Sequence, residues 1–248
     1  MKRFITSMDS IEMDTLSLNS EDAHYLIRVL RLGVGSQLEL VIERQEVWHI
    51  HITELSKSML RFKIVEKIPI ESALSPRLIL AQCLPKQDKM STVLKMGTEL
   101  GVSDFIPIIS EYCDKKWSKN TAIKLERWRS IVKNAAQQSK QHHIPNIHPA
   151  IDICSCQKFC QSNFPDASQF YAWEHASVSI RDFFNNDIES TPYPSSIFLI
   201  IGPEGGLSRA EAAMLSEQRF HSLSLGRSIL RTEHAGFYGF AQLLAYQY

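Results

Sequence analysis

The stretch from Ile197 to Glu211, IFLIIGPEGGLSRAE, leaves few folds open to this chain. An unbroken apolar run, Ile197 to Ile201, stops at Gly202-Pro203-Glu204-Gly205-Gly206, and a helix start follows at once. A strand without polar alternation is buried on both faces, the habit of parallel sheets covered by helices. In such sheets the loop leaving a strand's carboxyl end is where ligands bind. Shortly afterwards LSLGRSILRTEHA, Leu223 to Ala235, repeats the gesture. The two loops are expected to form one composite pocket.

Ser208 followed by Glu211 predicts a capping box, and Leu207 facing Ala212 a hydrophobic staple, so the first loop is held at both ends. Gly205-Gly206 lets backbone amides approach a ligand. No GK[ST] follows and the spacing is not GxGxxG, which argues against a nucleotide phosphate. A tight turn alone explains the glycines but not Glu204, an acid flanked by apolar sequence. In the second loop Thr232 is expected to cap the last helix, with Glu233 in its first turn. Arg231 stands where a helix N-terminus disfavours a cation, so it is expected to face an anion. Gly236 and Gly239 weaken that helix, which predicts close packing against another element.

The 248 residues suffice for one large domain or two modest ones. Short β-prone runs at 37–42, 47–53 and 60–65 surround a helical segment that Ser20-Glu21-Asp22 is expected to cap, which suggests a small barrel over residues 1–72. After IPIESALSP, strands and helices alternate. Strands are expected at 77–83, 104–109, 169–173, 196–201 and 222–225, and helices from Asp88 to Gly101, over 120–142, and from Glu233 onward. Formal net charge is zero. Residues 85–145 nevertheless hold eleven Lys/Arg against six Asp/Glu, a basic middle compatible with a nucleic-acid partner. The opening MKRFITSMDS lacks an apolar signal core and no run reaches membrane-spanning length, so the expectation is a cytoplasmic protein away from the membrane. Cys154, Cys156 and Cys160 do not form paired CxxC, and no metal is expected. His142-His143 is read as the cationic end of the long helix.

GPEGGLS with its following acid, and LGxxILRTE before the last helix, resemble the RsmE-type ribosomal RNA methyltransferases of the SPOUT superfamily. His24-Tyr25-Leu26 with Val29-Leu30-Arg31 resembles that family's PUA-like barrel. Lys89-Met90 and Thr98 to Val102 resemble the first helix of its catalytic domain. The likeness spans the chain. It implies an α/β fold: a PUA-like RNA-binding domain over residues 1–72, then a SPOUT methyltransferase domain over 73–248 with a mainly parallel sheet and a trefoil knot. It also implies S-adenosyl-L-methionine as cofactor, N3 of a uridine in small-subunit (16S) ribosomal RNA as target, and a homodimer.

In such a fold the cofactor is expected against Leu84, Ile201, Gly202, Pro203, Gly205, Gly206, Leu225, Gly226, Ile229 and Leu230. Methylating a uracil nitrogen requires removing its proton and stabilising the anion. Arg231 is the expected stabiliser, and Glu204, Glu233 or Glu99 the proton acceptor if burial raises its pKa. Candidate RNA contacts are Arg3, Arg28 and Arg31, then Lys115 and Lys116 beside Trp117, and Lys140. The chain departs from the family pattern at Lys140-Gln141, where Gly-Arg is usual, and at Arg227-Ser228, where Pro-Arg is usual. These departures keep two alternatives open: a catalytically weak or silent RNA-binding or ribosome assembly factor, and a methyltransferase of the same fold with another RNA target.

Overall fold

The computed structural model describes residues 1–70, 76–86, 88–113, 121–187 and 193–245. The chain forms two compact units: Met1–Ser72 with Ala136–Ile144, and Ala73–Ala135 with Pro145–Tyr248. The division after Ser72 lies where the sequence changes character. The return of Ala136–Ile144 to the first unit has no sequence signal, and it departs from the expected boundary, which puts that segment in the second domain.

In the first unit six strands, β1 (Lys2–Thr6), β2 (Ile11–Glu12), β3 (Thr15–Ser17), β4 (Gln37–Ile42), β5 (Glu46–Leu55) and β6 (Met59–Pro69), form one sheet in the order β1-β4-β5-β6-β3-β2. Only β1 and β4 pair in parallel. Side chains alternate along each strand. Phe4, Leu38, Leu40, Trp48, Ile50 and Ile52 therefore enter one core with Leu26 of the helical turn after α1 (Ser20–His24). Their neighbours Ile5, Val41 and Val47 point the other way and are covered by Ala136 and Ile144. Register shifts in β5 at His49/Ile50 and Ile52/Glu54 add twist and curl the sheet toward a half-barrel.

The second unit holds β7 (Arg77–Cys83), β8 (Val102–Ile109), β9 (Asn146–Ile147), β10 (Ile151–Asp152), β11 (Ser168–Ala172), β12 (Ser196–Ile201) and β13 (His221–Leu223). All pair in parallel, in the order β10-β8-β7-β12-β11-β13 with β9 also on β8. Its helices are α2 (Lys89–Leu100), α3 (Thr121–Gln138), α4 (Cys156–Asn163), α5 (Ile180–Asp187), α6 (Arg209–Glu217) and α7 (Thr232–Leu244). Phe198 and Ile200 share a core with Cys156, Cys160, Ala212 and Leu215 of α4 and α6. Leu199 and Ile201 face α7 instead, where Gly236 and Gly239 make room: a Cβ at either would lie 3.0 Å from Leu80 or Leu199. Two-sided burial is why the 197–201 run contains no polar residue.

Three helical expectations need correction. α1 is capped by Asn19, whose Oδ1 accepts from the Asp22 amide (2.8 Å), and Ser20 to Asp22 are already inside the helix. α3 ends at Gln138, not His142, and Lys140 turns the chain with φ 58°. His142 is thus not at a helix end; burial, then the nearby Arg3, lower its pKa. Asp88 does occupy the N-cap position of α2, but its carboxylate accepts from the Ser91 hydroxyl (2.7 Å) rather than from a backbone amide. Among the described residues no helix is long and apolar enough to cross a membrane.

Candidate active site

Parallel strands send their carboxyl ends to one side, and there the loops after β11, β12 and β13 surround a cavity of about 360 Å³. That lies within the roughly 300–1,000 Å³ of small-molecule sites. Its wall joins Ala172-Trp173-Glu174, Ile201 to Leu207 without Gly205, and Ser224 to Thr232, together with Lys89 and Ala235. Both glycine loops thus line one pocket.

The first loop is fixed by geometry at each end. Gly202 leaves little room for a side chain, since a Cβ there would crowd backbone atoms of Gly206 and Leu207 at 3.1 Å. Gly206 adopts φ +72°, a conformation that favours glycine. The capping box is formed: Glu211 N donates to Ser208 Oγ (3.2 Å) and Ser208 N to Glu211 Oε2 (2.9 Å). Glu211 Oε1 accepts from Glu111 N (2.8 Å), tying the end of β8 to the same turn.

Thr232 does not cap α7. Arg231 occupies the N-cap, without a side-chain cap bond, and Thr232 is the first helical residue. The Thr232 hydroxyl donates to the Gly202 carbonyl (2.6 Å) and accepts from Gln82 Nε2 (2.9 Å). Gln82, fully buried in β7, also donates to the Cys83 carbonyl (3.0 Å). One hydroxyl therefore joins the last loop, the glycine loop and the central strand.

Lys89, the first residue of α2, lines the cavity, although in the sequence it stands out only as part of the family likeness. Its ammonium lies 3.0 Å from Glu204 Oε1 and 3.5 Å from Glu233 Oε2. Glu204 also accepts from Lys86 N with both oxygens (3.0 and 3.1 Å). Burial alone would raise the Glu204 carboxyl; Lys89 and backbone amides outweigh it and hold the pKa below the usual value. The hydrogen bond to Glu204, followed by opposing burial and by the charges of Glu204 and Glu233, raises the Lys89 ammonium. Glu204 is therefore a settled carboxylate, and the raised pKa asked of a proton acceptor is not found there.

The other expected residues fall as follows. Ile201, Gly202, Pro203, Gly206, Leu225, Gly226, Ile229, Leu230 and Arg231 line the pocket; Gly205 turns instead toward Tyr112. Leu84 is buried behind the wall, its amide donating to the Ile108 carbonyl (2.9 Å). Glu99 lies in the last turn of α2, roughly 15 Å of helix from Lys89, and does not line the cavity. Arg231 is exposed and has no carboxylate partner among the described residues. In the first unit Arg3 is committed to Glu39 (2.8 Å) and the Lys140 carbonyl (2.5 Å), a structural role that leaves little for a phosphate. Arg28, Arg31 and Lys140 are exposed, and the Lys2 ammonium meets the carbonyl of Leu30 beside Arg31. Lys115, Lys116 and Trp117 lie outside the described residues. Cys156 and Cys160 are core thiols, pushed by burial up to about 12, a poor state for metal ligation.

Comparison with known proteins decides the family. An RNA methyltransferase domain model matches residues 73–244, and an RNA methyltransferase PUA domain model matches residues 18–65. Ribosomal RNA small subunit methyltransferase E of Bacillus subtilis is 31% identical over 245 residues, covering 96% of this chain and 93% of that protein. The chain belongs to the ribosomal RNA small subunit methyltransferase E family. A second member, from Rickettsia conorii, is 32% identical over 89% of this chain and 85% of its own length. Among solved structures, a Legionella pneumophila protein in complex with the cofactor SAM superposes with a TM-score of 0.82 at 26% identity, covering 98% of this chain and 97% of that one. The family enzyme of Neisseria gonorrhoeae, bound to S-adenosyl methionine, shares the fold with a TM-score of 0.80 at 24% identity over 100% and 97% of the two chains.

Proposed function

We propose that this protein methylates N3 of a uridine in small-subunit (16S) ribosomal RNA, using S-adenosylmethionine. The observation that carries the reading is the single cavity shared by both glycine loops, in a chain of this family. The cavity suits the cofactor by its residues. Ile201, Pro203, Leu207, Leu225 and Leu230 offer an apolar wall for a base, and Glu174 offers acceptors for hydroxyl or ammonium groups. Gly202 and Gly206 bring backbone close where a side chain would intrude. When bound, the cofactor supplies an electrophilic methyl group on a sulfonium, without metal or redox chemistry.

The chain's own residues do the rest. Uracil N3 loses its proton and the charge spreads onto the ring oxygens; Arg231, exposed on the wall and without a carboxylate partner among the described residues, is placed to stabilise it. Glu204 is a weakened base and neither Glu99 nor Glu233 lines the cavity, Glu233 being paired with Lys89, so none of the three acids takes that proton and it passes to water. Residues 1–72 serve as the RNA-binding domain through Arg28 and Arg31, joined by Lys140 of the segment that returns to the first unit, and the rest of 73–248 as the catalytic domain.

A homodimer is part of the reading, supported by exposed Ile229 on the pocket wall and by Phe237 and Tyr238 on α7. So is the trefoil knot. After edge strand β13 the chain returns as α7 to the centre of the sheet, against β7, β12 and α2. The reading also places the protein in the cytoplasm, where its substrate is made. The test is methyl transfer to small ribosomal subunits lacking the modification, with the product nucleotide mapped. Methyl-N3-uridine is expected; a methylated ribose hydroxyl, or binding without transfer, would overturn the reading.

A further inference from the structure

A cation on the first residue of a helix is opposed by the helix dipole, yet Lys89 stands there at the start of α2. Two carboxylates from different elements explain its presence: Glu204 from the glycine loop at 3.0 Å, and Glu233 from the first turn of α7 at 3.5 Å. Glu233 Oε2 is buried and accepts no hydrogen bond among the described residues, so Lys89 is the charge that balances it. Without that ammonium, two carboxylates would face each other across the joint between the pocket's two loops. Like charges sharing such a site repel, and one of them takes up a proton or moves away.

We infer that Lys89 is a positioning residue: a charge clamp that holds the Glu204 loop and the Arg231–Glu233 turn together and so keeps the cofactor cavity closed. The clamp complements the Thr232–Gly202 hydrogen bond, which joins the same two loops on the sheet side (2.6 Å). It also fixes the N-cap of α7, two residues before Glu233, from which the Arg231 side chain springs. The depressed Glu204 carboxyl and raised Lys89 ammonium are the mutual signature of such a pair. The inference rests on the cavity being the S-adenosylmethionine site.

Other charged groups stand near. Asp88 is engaged by Arg127 (2.6 Å). The side chains of Lys86, Arg231 and His234 are exposed, and Glu174 across the cavity lies 3.6 Å from His175. A pH response could arise from His234 or His175, so the test includes a substitution that touches neither.

The experiment measures S-adenosylmethionine affinity by calorimetry from pH 5 to pH 8, and melting temperature without cofactor, for wild type, Lys89→Met, Lys89→Arg and Lys89→Met with Glu204→Gln. Gln keeps an oxygen for the Lys86 amide and removes the charge. Lys89→Met is expected to weaken binding at pH 8 by about five- to tenfold and to recover toward wild type at pH 5. Lys89→Arg should stay within about threefold, and Glu204→Gln should rescue Lys89→Met at pH 8. Cofactor-free melting should follow the same order. Unchanged affinity in Lys89→Met, or a loss that neither low pH nor Glu204→Gln relieves, would overturn the clamp. Failure of the wild type to bind would instead remove the cofactor reading, while the melting series would still judge the clamp.

Discussion

The hydroxyl of Thr232 donates to the carbonyl of Gly202 at 2.6 Å, so the last loop is fastened to the glycine loop by a bond between residues thirty positions apart. The same oxygen receives Gln82 Nε2 from the middle of the sheet. Replacing Thr232 with Val keeps the shape, takes the hydroxyl donor from the Gly202 carbonyl, and leaves Gln82 Nε2 with the Cys83 carbonyl (3.0 Å) as its near acceptor. We expect a loss of about 1–3 kcal/mol, hence a melting temperature lower by several degrees, with weaker cofactor binding. Thermal unfolding with and without S-adenosylmethionine checks this.

Arg231→Ala should separate binding from chemistry. The guanidinium is exposed at the cavity wall, and the loop's shape rests on Thr232 and backbone rather than on this side chain. Cofactor affinity should stay near wild type while turnover falls about 10²- to 10³-fold, the scale of losing one donor to a developing anion. Single-turnover kinetics beside calorimetry measure both; turnover near wild type would exclude Arg231 as the stabiliser.

Gly202→Ala should weaken cofactor binding with little change in secondary structure. The added methyl would lie 3.1 Å from backbone atoms of Gly206 and Leu207, which cannot rotate away as a flexible side chain would. Calorimetry and circular dichroism together test this, and normal affinity would show that the loop yields.

Acid sensitivity is expected from Asp104, whose side chain is 1% exposed. Burial pushes its pKa up, but His148 (3.0 Å), Arg77 (2.7 Å) and Asn146 (3.2 Å) outweigh this, and the net shift is downward. A folded pKa below the unfolded one gives stability that is present above the unfolded value and lost as pH falls through the folded value. Resistance to urea should therefore fall below about pH 4. Asp104→Asn should cost roughly 3 kcal/mol at neutral pH and flatten that acid limb.

Thiol reagents should distinguish the cysteines. Cys154 is exposed, whereas Cys83, Cys156 and Cys160 are buried, and burial pushes the last two up to about 12. Native protein should lose Cys154 rapidly and the three buried thiols only on unfolding. Rapid modification of Cys156 would show that α4 opens.

What the sequence made legible was whatever has a local cause. The apolar run predicted β12 at its observed bounds, Ser208 and Glu211 predicted their capping box, and Gly101 marked the end of α2 with φ 97°. The convergence of the two glycine loops followed from strand ends sharing one side of a parallel sheet. What stayed hidden depends on partners far away in sequence. β1 becomes a strand only by pairing with β4, more than thirty residues on. α4 and α5 are short and polar and show no apolar stripe long enough to read. Thr232 reads as a cap because the carbonyl that claims its hydroxyl belongs to another loop. Lys89 reads as an ordinary helix-start residue until Glu204 and Glu233 are seen on either side of it. Trp173 and Glu174 close the cavity from the end of β11, where no glycine announces a ligand loop.

The two oxygens of Glu211 have different clients, the amide of Ser208 and the amide of Glu111. Both clients are donors, so a carboxylate satisfies each, whereas glutamine must present its own NH2 to one of them. The acid that closes the GPEGGLSRAE stretch is thus demanded by masonry rather than by reactivity. A search for catalytic groups that scores acids near the pocket would rank it highly, and a variant lacking it would lose activity through a sagging loop with every reacting group still in place.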